Sequence, residues 1–181
     1  FIDADSPPKY RPQRGRTLPS KFGNDMANTY SQMYIHFVFA VQNRDAMILS
    51  SWEERLFRYM TGIVQAQGQK MLAINCMPDH IHFLIGMKPD CRPSDLVRDV
   101  KKSSSTFIKD ERLSNFQFRW QEGYGVFSYS HSHLDNIVKY ILNQKEHHRK
   151  MTFKQEYLGF LKKYQIEFKE EYVFNWISDE L

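Results

Sequence analysis

The residues with the most chemical potential in this chain are His80-Ile81-His82, Tyr140 and Gln144. The histidine triplet opens a run, His80 to Met87, that reads as a strand. Alternation along a strand turns His80 and His82 to one side, and Ile81, Phe83 and Ile85 to the other. Two imidazoles at i and i+2 are a ready pair of ligands for a divalent cation. The plainer reading is two half-buried histidines bonded to their neighbours, because two ligands alone make no site. Tyr140 and Gln144 are one helical turn apart in a pattern centred on Ile141, which stacks them on one face with Tyr140 at the edge of the apolar stripe. That tyrosine serves equally as a border core residue with a wet hydroxyl, and Gln144 as plain surface. Read together, the imidazole pair, the phenol and the amide form a candidate cluster of metal ligands and nucleophile.

Other groups carry less. His131-Ser132-His133 repeats the spacing, but its middle residue is polar and it precedes a helix start, so it reads as surface or as a phosphate contact. His147 and His148 end the Tyr140 helix, where they can meet phosphate or favour the negative helix terminus. His36 reads as sheet packing. Asp79 is first a turn residue, with a second reading as a hydrogen-bond partner behind a histidine. Ser103-Ser104-Ser105 lacks the glycines of a nucleophile elbow. Arg98, Lys101 and Lys102, followed by Arg112 and Arg119, form either a solvated helical face or a track for phosphates with spare aromatics stacking on unpaired bases.

The scaffold that must hold these groups is legible in the hydrophobic periods. Met33 to Val41 reads as a first strand, and a helix then starts near Ser51, where Ser51 and Glu54 have capping-box spacing and Leu56, Tyr59, Met60 and Ile63 form a stripe. Gly68 ends that helix. Met71 to Met77 and His80 to Met87 form a hairpin about Pro78-Asp79. Pro93-Ser94 opens a second helix through Leu96, Val97, Val100, Phe107 and Ile108. Phe116 to Trp120 and Val126 to Ser130 read as short strands about Gly123-Tyr124-Gly125, a pair of glycines that reads as a hinge. A third helix, capped by Ser132 and Asp135, buries Leu134, Ile137, Val138, Ile141 and Leu142, and a fourth runs from Phe153 to Tyr164. Tyr172 to Trp176 reads as a tail that packs back on the body. The order predicts an α+β fold: a ferredoxin-like βαββαβ core, with an antiparallel sheet, helices on one face, and an appended helix carrying Tyr140. The histidine face of such a sheet is predicted to be open.

Composition narrows the function classes. With 181 residues, 41% hydrophobic and 25% charged, the chain fits one globular domain with a real core. Its longest apolar run, Phe37 to Val41, cannot span a bilayer. Cys76 and Cys91 form no disulfide framework, which fits a cytoplasmic setting. Net charge is +4, but half of that excess lies in the Pro- and Arg-rich first 25 residues, read as a leader or flexible arm before a single domain over 26–181. The remainder is too weakly basic for a nonspecific nucleic-acid coat, so any nucleic acid is bound by a local patch.

The pattern Asp79-His80-Ile81-His82-Phe83-Leu84 resembles the HUH motif. Tyr140-Ile141-Leu142-Asn143-Gln144-Lys145-Glu146-His147-His148 is similar to the helix that carries the single nucleophilic tyrosine in transposases of the insertion sequence 200/605 superfamily. Trp120 to Ser128 resembles the segment these proteins carry before that helix. The resemblance runs from about Met33 to Trp176. It implies that His80, His82 and Gln144 bind Mg2+ or Mn2+. It also implies that Tyr140 attacks a single-stranded DNA phosphate to leave a 5′-phosphotyrosine and a free 3′-OH. Implied partners are hairpin ends of a mobile element and a second copy of the chain, in a homodimer whose sites combine histidines of one chain with the tyrosine of the other. The implied setting is the prokaryotic cytoplasm, at the nucleoid. Phosphoryl transfer of this kind needs an in-line nucleophile and neutralised phosphate oxygens. A phenol must also lose its proton, and no general base for it is evident in the sequence. Two other readings compete: an HUH nuclease that nicks replication or transfer origins, and a non-catalytic RNA-binding module with an aromatic sheet.

Overall fold

The computed structural model describes residues 30–42, 47–169 and 173. The leader over 1–25 lies outside the described residues, as does the tail Tyr172 to Trp176 apart from Val173, which packs on the body. The elements are β1 (Met33–Ala40), α1 (Glu53–Ala66), β2 (Lys70–Met77), β3 (His80–Met87), α2 (Pro93–Asp110), β4 (Gly125–Tyr129), a single 3-10 turn at His131–His133, α3 (Leu134–Leu142), α4 (Gln144–His147) and α5 (Phe153–Lys163). The four strands pair antiparallel in the order β2-β3-β1-β4. This is the ferredoxin-like arrangement, with β1 and β3 central.

Register decides what each face of the sheet contains. Opposite residues in an antiparallel pair share a face, and β1 sets Phe39 against Ile81, Phe37 against Phe83 and Ile35 against Ile85. That side is wholly apolar. Leu56, Met60, Ile63 and Val64 of α1 cover it, together with Leu96, Val97, Val100, Phe107 and Ile108 of α2. The alternate residues pair Ala40 with His80, Val38 with His82 and His36 with Leu84. The histidine face is not open as its sequence predicts. Phe153, Tyr157, Phe160 and Leu161 of α5 cover one part of it, and Ile137 and Ile141 of α3 cover the other. His36, His80 and His82 are all fully buried. An RNA-binding ferredoxin-like module needs a bare sheet on which bases stack, and both faces of this one are roofed by helices.

Local expectations fare unevenly. The capping box of α5 forms: Thr152 Oγ1 accepts from Gln155 N, and Gln155 Oε1 accepts from Thr152 N. The box expected at Ser51 and Glu54 does not, because α1 begins at Glu53 and the Leu49 carbonyl takes the amides of Trp52 and Glu53 instead. Ser132 likewise caps nothing. It lies inside the 3-10 turn, where Ser130 Oγ meets His133 Nδ1 at 2.7 Å.

Phe116 to Trp120 is not a strand; only Trp120 bridges to Val41. Phe118 and Trp120 turn into the apolar core instead, and the Trp120 indole donates to Ser104 Oγ at 2.9 Å. Gly123, with φ +74°, makes the turn, but Gly125 is no hinge. It pairs with Val38 in β4, and a Cβ there would lie 2.9 Å from carbons of both the Phe127 and Tyr157 rings. Among the described residues no helix is long and apolar enough to cross a membrane.

Candidate active site and metal centre

The tyrosine helix is fixed to the sheet by a side chain on β2. Beyond a bulge between Met71 and Ala73, Asn75 faces the histidine side opposite His82. Its Nδ2 donates to the carbonyls of Ile141 and Leu142, both at 2.9 Å. Carbonyls at a helix end have no partner within the helix, so Asn75 satisfies two of them and docks the C-terminus of α3 beside β3. Asn143 then breaks the helix, and Gln144 starts the short α4. Tyr140 and Gln144 therefore belong to two helices rather than to one face of one. They still converge on the same group.

That group is Glu156 of α5. Its Oε1 accepts from the Tyr140 hydroxyl and, at 3.2 Å, from Gln144 Nε2. Its Oε2 lies 3.2 Å from His148 Nε2, 3.4 Å from His82 Nε2 and 3.7 Å from His80 Nε2. The Tyr140 ring stands edge-on to His82 with centroids 6.2 Å apart. Each imidazole is held from behind. Asp79 Oδ1 is 2.7 Å from His80 Nδ1, in keeping with its second reading, and Phe153 stacks flat on the His80 ring at 4.0 Å. His36 Nε2 lies 3.0 Å from His82 Nδ1. His148 is turned inward rather than toward solvent, with its Nδ1 on the Met151 carbonyl at 2.9 Å and its Nε2 3.1 Å from that of His80.

Burial and charge set the protonation states. Burial lowers His80 to about 4 against the partial opposition of Asp79, so its imidazole is neutral at pH 7. Burial, reinforced by His82, lowers His36 well below its usual value. For Glu156, burial alone would favour the acid, but the surrounding histidines, His82 foremost, outweigh it and hold the carboxyl well below the ordinary carboxylate range. Burial and then the Glu156 charge push the Tyr140 phenol well above its ordinary value. Burial disfavours charge on His148 too, but its contact with Glu156 reverses the direction and raises it. A cavity of about 440 Å3 between α3 and α5 reaches this cluster, with Tyr129, Tyr140, His147, Glu156, Phe160 and Lys163 among its walls.

The residues suit a divalent cation. His80, His82, His148 and Glu156 each present a ligand atom within 4.8 Å of the others. His82 Nε2, Glu156 Oε2 and Gln144 Oε1 are buried without a hydrogen-bond partner. A buried polar atom left unpaired costs about 1–3 kcal/mol, and a shared cation would pair these.

The profile of the IS200-like transposases matches residues 29–144. The chain belongs to that family. It is 23% identical over 120 residues to the ISDra2 transposase TnpA of Deinococcus radiodurans, a match covering 64% of this chain and 86% of that one. Its fold is similar to that of a candidate transposase from D. radiodurans R1, with TM-score 0.52 and 22% identity over 69% of this chain and 98% of the other. It is also similar to that of a REP-associated tyrosine transposase bound to a REP hairpin, with TM-score 0.52 and 16% identity over 70% and 74% of the two chains.

Within the IS200-like region lie His80, His82, Tyr140 and Gln144, all brought together. His148 and Glu156 lie beyond it, and the sequence pattern does not mark them as ligands. A signal for Glu156 is nonetheless present: Phe153, Glu156, Tyr157, Phe160 and Leu161 keep one helical stripe, and a carboxylate among four apolar residues on a buried face is rare without a partner.

The basic residues are not part of this cluster. Arg98 to Arg119 belong to α2 and the segment after it, on the apolar side of the sheet. Arg98 is exposed and paired with Asp95 and Asp99. Lys101 donates to the carbonyls of Gln121 and Gly123 and lies 4.9 Å over the Phe39 ring, which anchors the loop before β4. Lys102, Arg112 and Arg119 are exposed.

Proposed function

We propose that this chain cleaves and rejoins single-stranded DNA at hairpin ends of a mobile element, with Tyr140 as nucleophile and with His80, His82 and Gln144 holding a divalent cation. The observation that carries this reading is the hydrogen bond from the Tyr140 hydroxyl to Glu156, a carboxylate that also lies against both histidines of the HUH triplet. Glu156 supplies the proton acceptor for which the sequence pattern offers no candidate. In the resting site, burial and the Glu156 charge keep the phenol protonated. The resting site holds the phenol above and the carboxylate below its ordinary range, so the proton passes to Glu156 only in step with the bonding of the Tyr140 oxygen to phosphorus. The bond from phosphorus to O3′ breaks, O3′ leaves as a hydroxyl by taking a proton from solvent water, and the 5′-phosphate stays on the tyrosine. The covalent link conserves the phosphodiester, so a 3′-OH can later attack it and restore Tyr140. His80, His82 and Gln144 would hold a cation such as Mg2+ or Mn2+, which when bound would supply charge to neutralise and orient the phosphate. The open cavity beside Tyr140 is the approach for the strand, and the fold of the REP-associated transposase, which binds a REP hairpin, supports a hairpin as the substrate class.

The test is covalent capture of a labelled single-stranded hairpin oligonucleotide in Mn2+, read on a denaturing gel. Wild-type protein is expected to form an adduct, while Tyr140→Phe and His80→Ala/His82→Ala form none. An adduct with Tyr140→Phe sinks the reading. The tyrosine lies against the histidines of its own chain, which supports a site complete in one chain. The competing arrangement is the homodimer with exchanged tyrosine helices, and mixing the two inactive variants decides between them. A site in one chain stays inactive on mixing, whereas exchanged helices restore capture.

A further inference from the structure

His148 and Glu156 lie outside the family region, yet they complete the surroundings of His80 and His82. Hydrogen bonding fixes which imidazole nitrogens carry hydrogen. The acceptors at His80 Nδ1 and His148 Nδ1 are the Asp79 carboxylate and the Met151 carbonyl, neither of which can donate. Each ring therefore carries hydrogen on Nδ1 and turns its Nε2 into the site, and these two nitrogens are only 3.1 Å apart. Two imidazole nitrogens at that distance share either a proton or a cation. His82 Nε2 and Glu156 Oε2, both buried and unpartnered, point into the same space. The separations of 3.2, 3.4 and 3.7 Å from Glu156 Oε2 to the three imidazole nitrogens bracket the edge of about 3.4 Å expected between tetrahedral ligands with bonds of about 2.1 Å.

We infer that His148 and Glu156 are metal ligands, so that the cation is held by three imidazoles and one carboxylate and the site favours a transition-metal ion over Mg2+. The inference rests on the reading of His80 and His82 as ligands, puts His148 and Glu156 Oε2 in the place of Gln144 while no DNA is bound, and leaves Glu156 Oε1 on the Tyr140 hydroxyl. Imidazole nitrogens suit Co2+, Zn2+ and related ions, whereas Mg2+ takes oxygen ligands and keeps much of its water. Phe153 lies flat on His80 and Glu156 follows one turn later, so α5 both roofs the site and completes it.

The experiment titrates the full, chelator-stripped chain with Co2+ alone, without DNA, followed by calorimetry and visible absorption. One ion per chain and the intense visible band of four-coordinate cobalt are expected, and equimolar Mg2+ should leave the band in place. Glu156→Gln and His148→Ala should each weaken binding by about 100-fold or more, since even partners of ligands are worth 10–100-fold. Both should also convert any residual band to the weak six-coordinate form, with circular dichroism confirming the fold. Wild-type affinity and spectrum in both variants, with binding lost in His80→Ala, overturn the inference and leave the proposed function standing. Unchanged binding in His80→Ala as well removes the metal site of that function. The unmutated protein provides an independent test, because a weak six-coordinate spectrum, or displacement by equimolar Mg2+, overturns the inference without any variant.

Discussion

The two faces of the sheet are made from alternate residues of the same strands, and their interiors have opposite character. On the side of α1 and α2, Phe37, Phe39, Ile81, Phe83 and Ile85 meet mainly aliphatic and aromatic side chains, with Phe37 and Phe83 stacked at 4.8 Å. On the side of α3 to α5, His36, His80, His82, Gln144 and Glu156 are buried together, and several of their polar atoms lack partners. One face supplies stability and performs no chemistry. The other spends stability to hold a carboxylate, four imidazoles and a phenol in a single arrangement. A period-two strand makes the division compatible, because each residue type is committed to its own side.

Truncating neighbours on β3 should separate the two faces most strongly. Phe83→Ala should cost about 3–5 kcal/mol, as expected for a fully buried aromatic. His82→Ala, one residue away and equally buried, should cost only about 1 kcal/mol in metal-free protein. The cavity it opens is offset by removal of a buried, unpaired Nε2. Urea denaturation of both variants in chelator measures the difference. Equal losses would mean that the histidine face is stabilised by packing like its opposite.

Much of this division is legible in the sequence alone. The alternation through His80 to Ile85 places the histidines together, and the helical stripe about Ile141 puts Tyr140 at its border. Two things are not legible there. A strand pattern states which side a residue takes but not whether a later element covers that side, so the histidine face reads as open when α5 roofs it. The other is the pairing of distant groups. Glu156 reads as one acidic residue in a helix until the fold brings it 3.4 Å from His82, and His148 reads as a helix terminus until Met151 turns it inward. The strand expected at Phe116 to Trp120 fails for a related reason: two of the rings that make it look β-like, Phe118 and Trp120, are consumed by the core beside α2.

Gly125 tests whether the second face is packed as tightly as the first. It lies where β4 passes beneath α5, and an added methyl would meet the Phe127 and Tyr157 rings at 2.9 Å. Gly125→Ala should destabilise by about 1–3 kcal/mol through overpacking, and it should loosen the seat of α5 and so weaken Co2+ binding. Thermal melting and the cobalt titration report the two effects separately. A neutral substitution would mean that the rings move aside and that α5 is held mainly by the polar cluster.

Substitutions on the outer surface behind the apolar face should act more weakly. We propose that Lys102, Arg112 and Arg119, all exposed, track phosphates of a hairpin whose single-stranded flank reaches Tyr140 on the other side. Arg98 and Lys101 are expected to contribute nothing: the first already has two aspartates within 3.1 Å, and the second is committed to backbone carbonyls. Each phosphate contact releases condensed counterions, so losing one lowers the slope of log affinity against log salt by about 0.9 on duplex DNA. Alanine at Lys102, Arg112 or Arg119 should therefore flatten the salt dependence of hairpin binding by about that amount each. Arg98→Ala should leave the slope unchanged, because its charge is neutralised whether or not DNA is bound. Fluorescence anisotropy across a salt series distinguishes these outcomes. If all four alanine variants share the wild-type slope, DNA does not reach the α2 side, and recognition is confined to the face that holds Tyr140.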